Sequence, residues 1–251
     1  MRISVLASGS KGNSTYLETN STKSLIDIGM SCLYIENNLK DLGINPKEIN
    51  NIFITHTHTD HIAGLKVFLK KYQPTVYLTS KMYDELSFIT DYVIVDEYFI
   101  IADLEINIFK TSHDVDSVGY VFKNIDKEFV YITDTGYINQ KHYNLLKNKD
   151  LYVIESNYDV ELLMNNENYP YPIRQRILSD KGHLSNENSA YYVSKFIDNK
   201  TKCVVLAHIS QNNNKKEIAL EALHNQLNKE KKNISKIIVA DQNNKTELIE
   251  V

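Results

Sequence analysis

The sequence contains few of the residues on which several protein classes depend. Only two cysteines, Cys32 and Cys203, occur among 251 residues. We therefore expect no disulfide framework and a reducing compartment. No uninterrupted apolar segment approaches membrane-spanning length, and the apolar stretch after Met1 is too short for a signal peptide. These absences predict a cytoplasmic protein with no membrane partner.

Positive charge is also scarce. The chain has 28 lysines and arginines against 32 aspartates and glutamates, which gives a formal net charge of −4. The whole molecule therefore does not attract nucleic acid, and a polyanionic partner has to meet a local patch or bound metal ions. Hydrophobic residues make up 42 %, enough for a sizeable core. No repeat or low-complexity linker divides the chain, so residues 1–251 are expected to form one domain.

The most informative segment is the run THTHTDH at residues 55–61, which follows a short apolar run typical of a buried strand. In an extended chain the side chains of His56 and His58 point the same way. Asp60 and His61 turn away as a helix begins, so they can serve a second centre. Imidazole nitrogen with carboxylate oxygen suits zinc, manganese or iron and not calcium. The alternative is a solvated histidine-rich loop, which the rest of the chain disfavours.

Several residues with ligand chemistry directly follow apolar, strand-like runs. These residues are His56, His113, Asp134, Glu155 and His208. If the strands are neighbours with the same end up, the five side chains converge on one rim, as at the strand ends of open α/β sheets. Taken alone, each has a plainer interpretation as a hydrogen-bonded turn residue. Asp27 interrupts an apolar run, and a buried carboxylate needs partners, so we interpret it as support for a metal ligand.

The apolar periodicity predicts an α/β fold in which two sheets pack together with helices outside. A helix is expected at residues 33–42, closed by Gly43, and another is expected to run from the histidine-rich segment to about Tyr72. Residues 169–181 contain Pro170 and Pro172 and are expected to be irregular.

The run HTHTDH, followed by isolated His113, Asp134 and His208, resembles the ligand pattern of the metallo-β-lactamase superfamily over most of the chain. Further segments resemble the YycJ (WalJ) type within it. They are ASGSKGNST at 7–15, ESN at 155–157, YP at 169–170, RQRILS at 174–179 and GHLSN at 182–186. Tyr158 departs from the pattern, since many members have histidine there. The resemblance implies a four-layer αββα sandwich with two divalent metal ions at one edge.

The resemblance also implies the roles of individual residues. His56, His58 and His113 would hold the first ion, Asp60, His61 and His208 the second, and Asp134 would bridge them. The ions would be Zn²⁺ or Mn²⁺, with Fe²⁺ also open. The implied activity is that of a phosphodiesterase, most closely a 5′-to-3′ exonuclease acting on DNA, with a place in mismatch repair. A metal-activated hydroxide would attack phosphorus, with Asp60 also orienting it.

Two further sets of residues complete the hypothesis. His183 is expected to protonate the leaving oxygen, with Glu155 orienting its ring and keeping it protonated, as in tRNase Z-like enzymes; its alternative is a helix-entry residue. Arg174 and Arg176 suit phosphate oxygens, although a solvated basic turn is nearly as good an interpretation. Ser10 and Asn13 lie in a loop whose backbone N–H groups could meet the same anion; a simple turn between strands is the commoner explanation.

Other functions compete with this one. A penicillin-cleaving hydrolase is disfavoured by the missing export signal and by the Glu155–His183 pair. A glyoxalase II-type thioesterase would share the metal site. A tRNase Z-like RNA-processing enzyme and a cyclic or small phosphodiesterase share the chemistry and stay open. A non-catalytic metal-binding regulatory protein is the alternative of another class. The sequence leaves open the native metal, DNA or RNA, exo- or endonucleolytic action, polarity and oligomeric state.

Overall fold

A computed structural model describes residues 1–251, and its strands form two sheets of seven strands each. The first sheet contains β1 (Arg2–Ala7), β2 (Ser14–Glu18), β3 (Lys23–Ile26), β4 (Asn51–Phe53), β5 (Thr75–Leu78), β6 (Tyr92–Ile94) and β14 (Ile249–Glu250). The second contains β7 (Tyr98–Ile101), β8 (Leu104–Lys110), β9 (Val118–Asn124), β10 (Lys127–Ile132), β11 (Leu151–Glu155), β12 (Cys203–Ala207) and β13 (Lys236–Val239).

Each sheet combines an antiparallel half with a parallel half. The strand order is β14-β1-β2-β3-β4-β5-β6 in the first sheet and β13-β12-β11-β10-β9-β8-β7 in the second. Strands β3 to β6 are parallel, and so are β10 to β13. Parallel neighbours need crossover connections, which are usually helical. The helices of the chain therefore fall mostly between these strands.

Nine α-helices connect the strands. They are α1 (Cys32–Asp41), α2 (Thr59–Ile62), α3 (Leu65–Tyr72), α4 (Ser80–Glu85), α5 (Tyr143–Leu146), α6 (Val160–Asn165), α7 (Tyr171–Leu178), α8 (Asn186–Phe196) and α9 (Lys216–Lys229). Two 3₁₀ turns span Pro46–Glu48 and Gln140–His142. None of the helices has both the length and the apolar character needed to cross a membrane.

The side chains of β11 alternate between two hydrophobic clusters, which reveals the layers. Leu151 and Val153 join a cluster of 40 buried residues drawn from both sheets and from α1 and α3. Tyr152 and Ile154 join a cluster of 20 that includes residues of α8 and α9. Successive strand residues face opposite sides, so this strand is covered by the other sheet on one face and by helices on the other. The predicted α/β, αββα fold is confirmed.

The prediction that residues 169–181 are irregular is wrong, because α7 occupies most of that segment. Pro172 lies in the first turn of the helix, where a missing N–H breaks no helical hydrogen bond. The helix after the histidine-rich segment ends as expected at Tyr72, but α3 starts only after Gly64. A Cβ atom on Gly64 would lie 2.1 Å from the carbonyl oxygen of Met30, so close packing explains this glycine.

Candidate metal centre and active site

The first group of possible metal ligands combines loops from both sheets. His56 and His58 follow β4, and His113 follows β8. One donor atom from each residue lies within 4.8 Å of the others. Nδ1 of His58 is 3.2 Å from Nε2 of His113, and Nε2 of His56 is buried without a hydrogen-bond partner. Three nitrogen donors therefore meet at one edge of the sandwich.

A second group lies beside the first, and one carboxylate adjoins residues of both. Asp60, His61 and His208 form one set of neighbouring donor atoms, and His56, His61 and Asp134 form an overlapping set. Oδ2 of Asp134 is 3.2 Å from Nε2 of His61, and its Oδ1 is 3.4 Å from Nδ1 of His208. Asp134 thus adjoins residues of both groups, the position that a bridging ligand requires.

Strand direction explains why these residues meet. Strands β10, β11 and β12 are parallel neighbours, and β8 runs the same way because two antiparallel steps separate it from β10. His113, Asp134 and His208 consequently leave the second sheet at the same edge, and Glu155 ends β11 there. The structure brings together every residue that the sequence places at this rim.

Three of these side chains depend on an uncommon backbone conformation. Asp27, Asp134 and His208 have φ angles of 60°, 54° and 56°. Non-glycine residues in this left-handed region cost on the order of 1–3 kcal/mol each, and such strain clusters at functional sites. The surrounding packing therefore holds these side chains in directions that an unstrained chain would not adopt.

Asp27 is fully buried and bonded to the second group. Its Oδ2 lies 2.7 Å from Nδ1 of His61. It also accepts hydrogen bonds from the backbone N–H and the hydroxyl of Thr55, at 2.8 and 2.7 Å. With Nδ1 engaged in this way, Nε2 of His61 is left to face the metal position, and the ring is fixed in orientation. This contact is of the kind expected for Asp27.

Glu155 is fully buried and orients two histidines at once. Its Oε1 lies 2.7 Å from Nδ1 of His183 and 2.8 Å from Nδ1 of His208. Its Oε2 accepts the backbone N–H groups of Thr135 and Leu184 at 3.0 and 3.2 Å. The ring of His183 lines the cavity described below, so its Nε2 is the nitrogen that Glu155 leaves free.

Burial and mutual charge shift the pKa values of these groups. Burial, with the neighbouring histidine charges, holds the pKa of His56 well below its usual range, so its imidazole is neutral and available as a ligand. Burial would lower the pKa of His61, but Asp134 and Asp27 outweigh it and raise the pKa to about 10. Burial acts to raise the pKa of Asp134, whereas His208 and His61 bring it well below its usual range. Divalent ions compete with these protons for the same atoms.

The donor set fits divalent metal ions. Ten buried side-chain atoms in the chain have no hydrogen-bond partner, and three of them meet here: Nε2 of His56, Nε2 of His208 and Oδ2 of Asp134. Unpaired buried polar atoms are costly and need an explanation, and cations placed among these atoms would satisfy all three. Mixed nitrogen and carboxylate donors suit Zn²⁺, Mn²⁺ or Fe²⁺ better than Ca²⁺.

A cavity of about 240 Å³ opens beside the donor groups. Ser10, Arg176, Lys181 and His183 line it together with several of the metal ligands. Ser10 and Arg176 therefore occupy positions from which they can reach a phosphate in the cavity. The guanidinium of Arg176 lies 3.4 Å from Asp114 and its side chain is 66 % exposed.

The other two predicted phosphate-binding residues lie differently. Asn13 is buried; it bonds to both backbone groups of Gly9 and lies 3.0 Å from Nε2 of His61. Arg174 donates a hydrogen bond to the carbonyl of Met164 and does not line the cavity. Arg174 and Arg176 lie two residues apart on α7, so their side chains point to different faces of the helix. An irregular segment does not predict this separation. Asn13 and Arg174 thus make contacts within the fold.

Residues that were not singled out from the sequence also line the cavity. They include Asp114, Ile173, Lys181 and Asn213, whereas Asn157 and Tyr169, which also line it, lie in the ESN and YP segments noted above. Asp114 had a signal, since a carboxylate directly follows the isolated His113. For the others, the sequence offers no chemical pattern, because they lie in separate segments that only the fold brings to this cavity.

Comparison with known proteins agrees with this geometry. A family model described as the β-lactamase superfamily domain matches residues 24–209. The chain belongs to the metallo-β-lactamase superfamily. Membership in this superfamily and the donor groups together imply that it binds divalent metal ions.

Two curated relatives indicate which subgroup of the superfamily this chain resembles. Exodeoxyribonuclease YycJ of Bacillus anthracis is 38 % identical over 228 residues, covering 87 % of this chain and 86 % of the relative. Exodeoxyribonuclease WalJ of Streptococcus pneumoniae serotype 2 is 39 % identical over 237 residues, covering 90 % and 88 %. The predicted resemblance to the YycJ (WalJ) type is confirmed.

Solved structures support the fold. The metallo-β-lactamase fold protein YhfI from Bacillus subtilis superposes with a TM-score of 0.76 at 13 % identity, covering 98 % of each chain. At this identity the likeness shows the metallo-β-lactamase fold alone.

Proposed function

We propose that the protein is a dinuclear-metal phosphodiesterase that acts as a 5′-to-3′ exonuclease on DNA. The observation that carries the reaction class is the pairing of His183 with buried Glu155 at the edge of the donor groups. This arrangement supplies a proton donor on the rim of the same cavity that holds the metal ligands. The choice of DNA rests on the two exodeoxyribonucleases that resemble this chain over most of its length.

Seven side chains would hold the two ions. His56, His58 and His113 would hold one, Asp60, His61 and His208 would hold the other, and Asp134, whose donor atom lies near those of His56 and His61, would be shared between them. We propose Zn²⁺ or Mn²⁺ for the two positions, because both metals accept imidazole and carboxylate ligands. When bound, the ions acidify water and neutralise charge on the phosphate oxygens. Asp60 is about a quarter exposed and faces the cavity, so it is also placed to orient the attacking oxygen.

The positive side chains of the cavity would position the phosphate. Arg176 and Lys181 are the two cationic residues in its lining. A guanidinium binds phosphate oxygens through paired hydrogen bonds, and Ser10 adds a hydroxyl from the opposite loop. A local site of this kind explains how a protein with a net charge of −4 can act on a polyanion.

His183 is proposed as the general acid. Its Nδ1 is held by Glu155, so the ring presents Nε2 to the cavity and can give its proton to the departing oxygen. The side chain is 18 % exposed, which allows the proton to be recovered from solvent between turnovers. Glu155 is a positioning residue in this scheme because it acts through the imidazole.

The test is cleavage of DNA labelled at the 5′ end and, separately, within the chain. Purified protein is assayed with Mn²⁺ or Zn²⁺ and with a chelator, beside RNA of the same sequence. We expect metal-dependent release of short 5′-labelled products from DNA. Asp60→Ala should abolish this release, whereas His224→Ala, a substitution at an exposed histidine away from the site, should not.

Two outcomes would contradict different parts of the proposal. If DNA stays intact while RNA or a cyclic phosphodiester is cleaved, the substrate is wrong and the phosphodiesterase class stands. If bis-(p-nitrophenyl) phosphate also stays intact with either metal, the reaction class itself fails.

A further inference from the structure

Asp114 lies between the first donor group and helix α7. Its Oδ1 is 3.2 Å from Nε2 of His58 and 3.3 Å from Nε2 of His113. Its Oδ2 accepts a hydrogen bond from the guanidinium of Arg176 at 3.4 Å. One carboxylate thus contacts two predicted metal ligands and the arginine that lines the cavity. Asp114 itself belongs to none of the donor groups.

The two ring nitrogens of His58 have different surroundings. Nδ1 faces the donor group, where it lies 3.2 Å from Nε2 of His113. Nε2 lies on the other side of the ring, within ion-pair distance of Asp114. A histidine that binds a metal through one nitrogen usually directs the N–H of the other to a carboxylate or carbonyl. Asp114 occupies that place for His58.

Two other histidines of the site follow the same pattern. Nδ1 of His61 is held by Asp27 and Nδ1 of His208 by Glu155, at 2.7 and 2.8 Å. Both of those rings are fully or almost fully buried, whereas the side chain of His58 is 34 % exposed. Packing therefore restrains His58 least, so its orientation depends more on its carboxylate partner.

We propose that Asp114 is a positioning residue that orients His58 for the first metal ion and connects this ligand to Arg176. The proposal rests on the metal site proposed above and extends it to a carboxylate outside the seven ligands. A phosphate that draws on Arg176 would compete with Asp114 for the guanidinium. Arg176 would therefore both bind substrate and hold the carboxylate that orients the metal ligand His58.

The test is metal binding by the metal-free protein, without substrate. Co²⁺ or Zn²⁺ is titrated against a chromophoric chelator, and the visible spectrum of bound Co²⁺ reports the ligand geometry. Asp114→Ala should weaken one of the two binding steps about 10- to 100-fold, the usual effect of removing such a partner, and should alter the Co²⁺ spectrum. The other step should be unchanged, because Asp27 still holds His61.

Two further variants sharpen the result. Asp114→Asn keeps an oxygen acceptor without the charge, so its loss of affinity should lie between those of wild type and Asp114→Ala. Asp116→Ala is the matched control, since Asp116 lies in the same loop but bonds to Lys110 and Thr79 instead of a histidine. Asp114 is 32 % exposed, so both of its variants should fold, which thermal unfolding of the metal-free protein checks.

The outcomes separate this proposal from the proposed function. Asp114→Ala protein that binds both ions as wild type does, or Asp116→Ala protein that loses as much affinity, would overturn the positioning role. Neither result depends on any substrate. Failure of the metal-loaded wild-type protein to hydrolyse any phosphodiester would instead overturn the proposed function and leave the metal-binding result intact.

Discussion

Replacing Glu155 by glutamine removes the charge from the most connected carboxylate of the site while keeping its shape. In the native structure both oxygens accept: Oε1 faces Nδ1 of His183 and of His208, and Oε2 faces the N–H groups of Thr135 and Leu184. A glutamine has only one oxygen. Whichever way the amide is turned, its NH₂ group faces two donors.

The expected loss of folding stability follows from those contacts. Each buried donor left without an acceptor costs about 1–3 kcal/mol, so two cost roughly 2–5 kcal/mol after partial relaxation. For a chain of this size, 1 kcal/mol corresponds to about 2–4 °C in the melting temperature. We therefore expect the metal-free Glu155→Gln protein to melt roughly 4–20 °C below wild type.

The same substitution should impair function through the histidines. If the amide NH₂ takes the place of Oε1, it faces Nδ1 of His208, and two donors then point at each other. His208 can relieve this conflict by moving its proton from Nδ1 to Nε2. Nε2 is the buried, unpaired atom predicted to bind an ion, so metal affinity should fall about 10- to 100-fold. Loss of an oriented general acid at His183 should cost about 10²–10⁴-fold in turnover of DNA.

Three measurements check this reasoning: thermal unfolding without metal, metal titration, and turnover of DNA beside bis-(p-nitrophenyl) phosphate. The nitrophenolate ion leaves without protonation, so its release should suffer less than DNA cleavage. Glu161→Gln, at an exposed position of α6, is the matched control. Wild-type stability together with wild-type DNA turnover in Glu155→Gln protein would refute the reasoning.

Two further predictions concern residues outside the ligand set. Lys71, and then the Cys32 thiol, hold the pKa of buried Glu36 at about 2. Because this pKa lies below the unfolded value of ~4.3, the pair stabilises the fold at neutral pH, and the stabilisation is lost as pH falls towards 2. Glu36→Gln should lower the free energy of unfolding at neutral pH by about 1 kcal/mol, since exposed Lys71 is screened by solvent. Urea unfolding should show that this difference from wild type shrinks in acid. A Cβ atom at Gly29 would lie 1.7 Å from the carbonyl oxygen of Asp60, so Gly29→Ala should displace that ligand and weaken metal binding in a chelator competition; unchanged affinity would contradict this.

Much of the site was readable from the sequence because its chemistry is carried by residue type and strand position. The histidine-rich run after β4 and the isolated His113, Asp134 and His208 after other strands are local patterns. The parallel arrangement of apolar runs then makes their meeting at one edge a reasonable expectation. Similarly, the continuous apolar runs of β11 and β12 indicate strands that are buried on both faces.

Other features could not be read in this way. Two prolines suggested an irregular segment, yet Pro172 lies where a helix tolerates proline, and the neighbouring packing decides whether a helix forms. Arg174 and Arg176 are two residues apart and look equivalent in sequence. Only the latter lines the cavity, because side chains two apart on a helix do not share a face.

The sequence alone indicated the types of the candidate ligands and the strand ends that carry them, since these depend on side-chain chemistry and on local hydrophobic patterning. Tertiary structure alone decided which histidines the supporting carboxylates meet. Asp27 and His61 are 34 residues apart, and Glu155 and His208 are 53 apart. Such pairs form only when separate strands pack together, and packing energy also maintains the left-handed backbone of Asp134. Hydrogen-bond direction and strain are properties of the assembled sandwich, so no local sequence pattern encodes them.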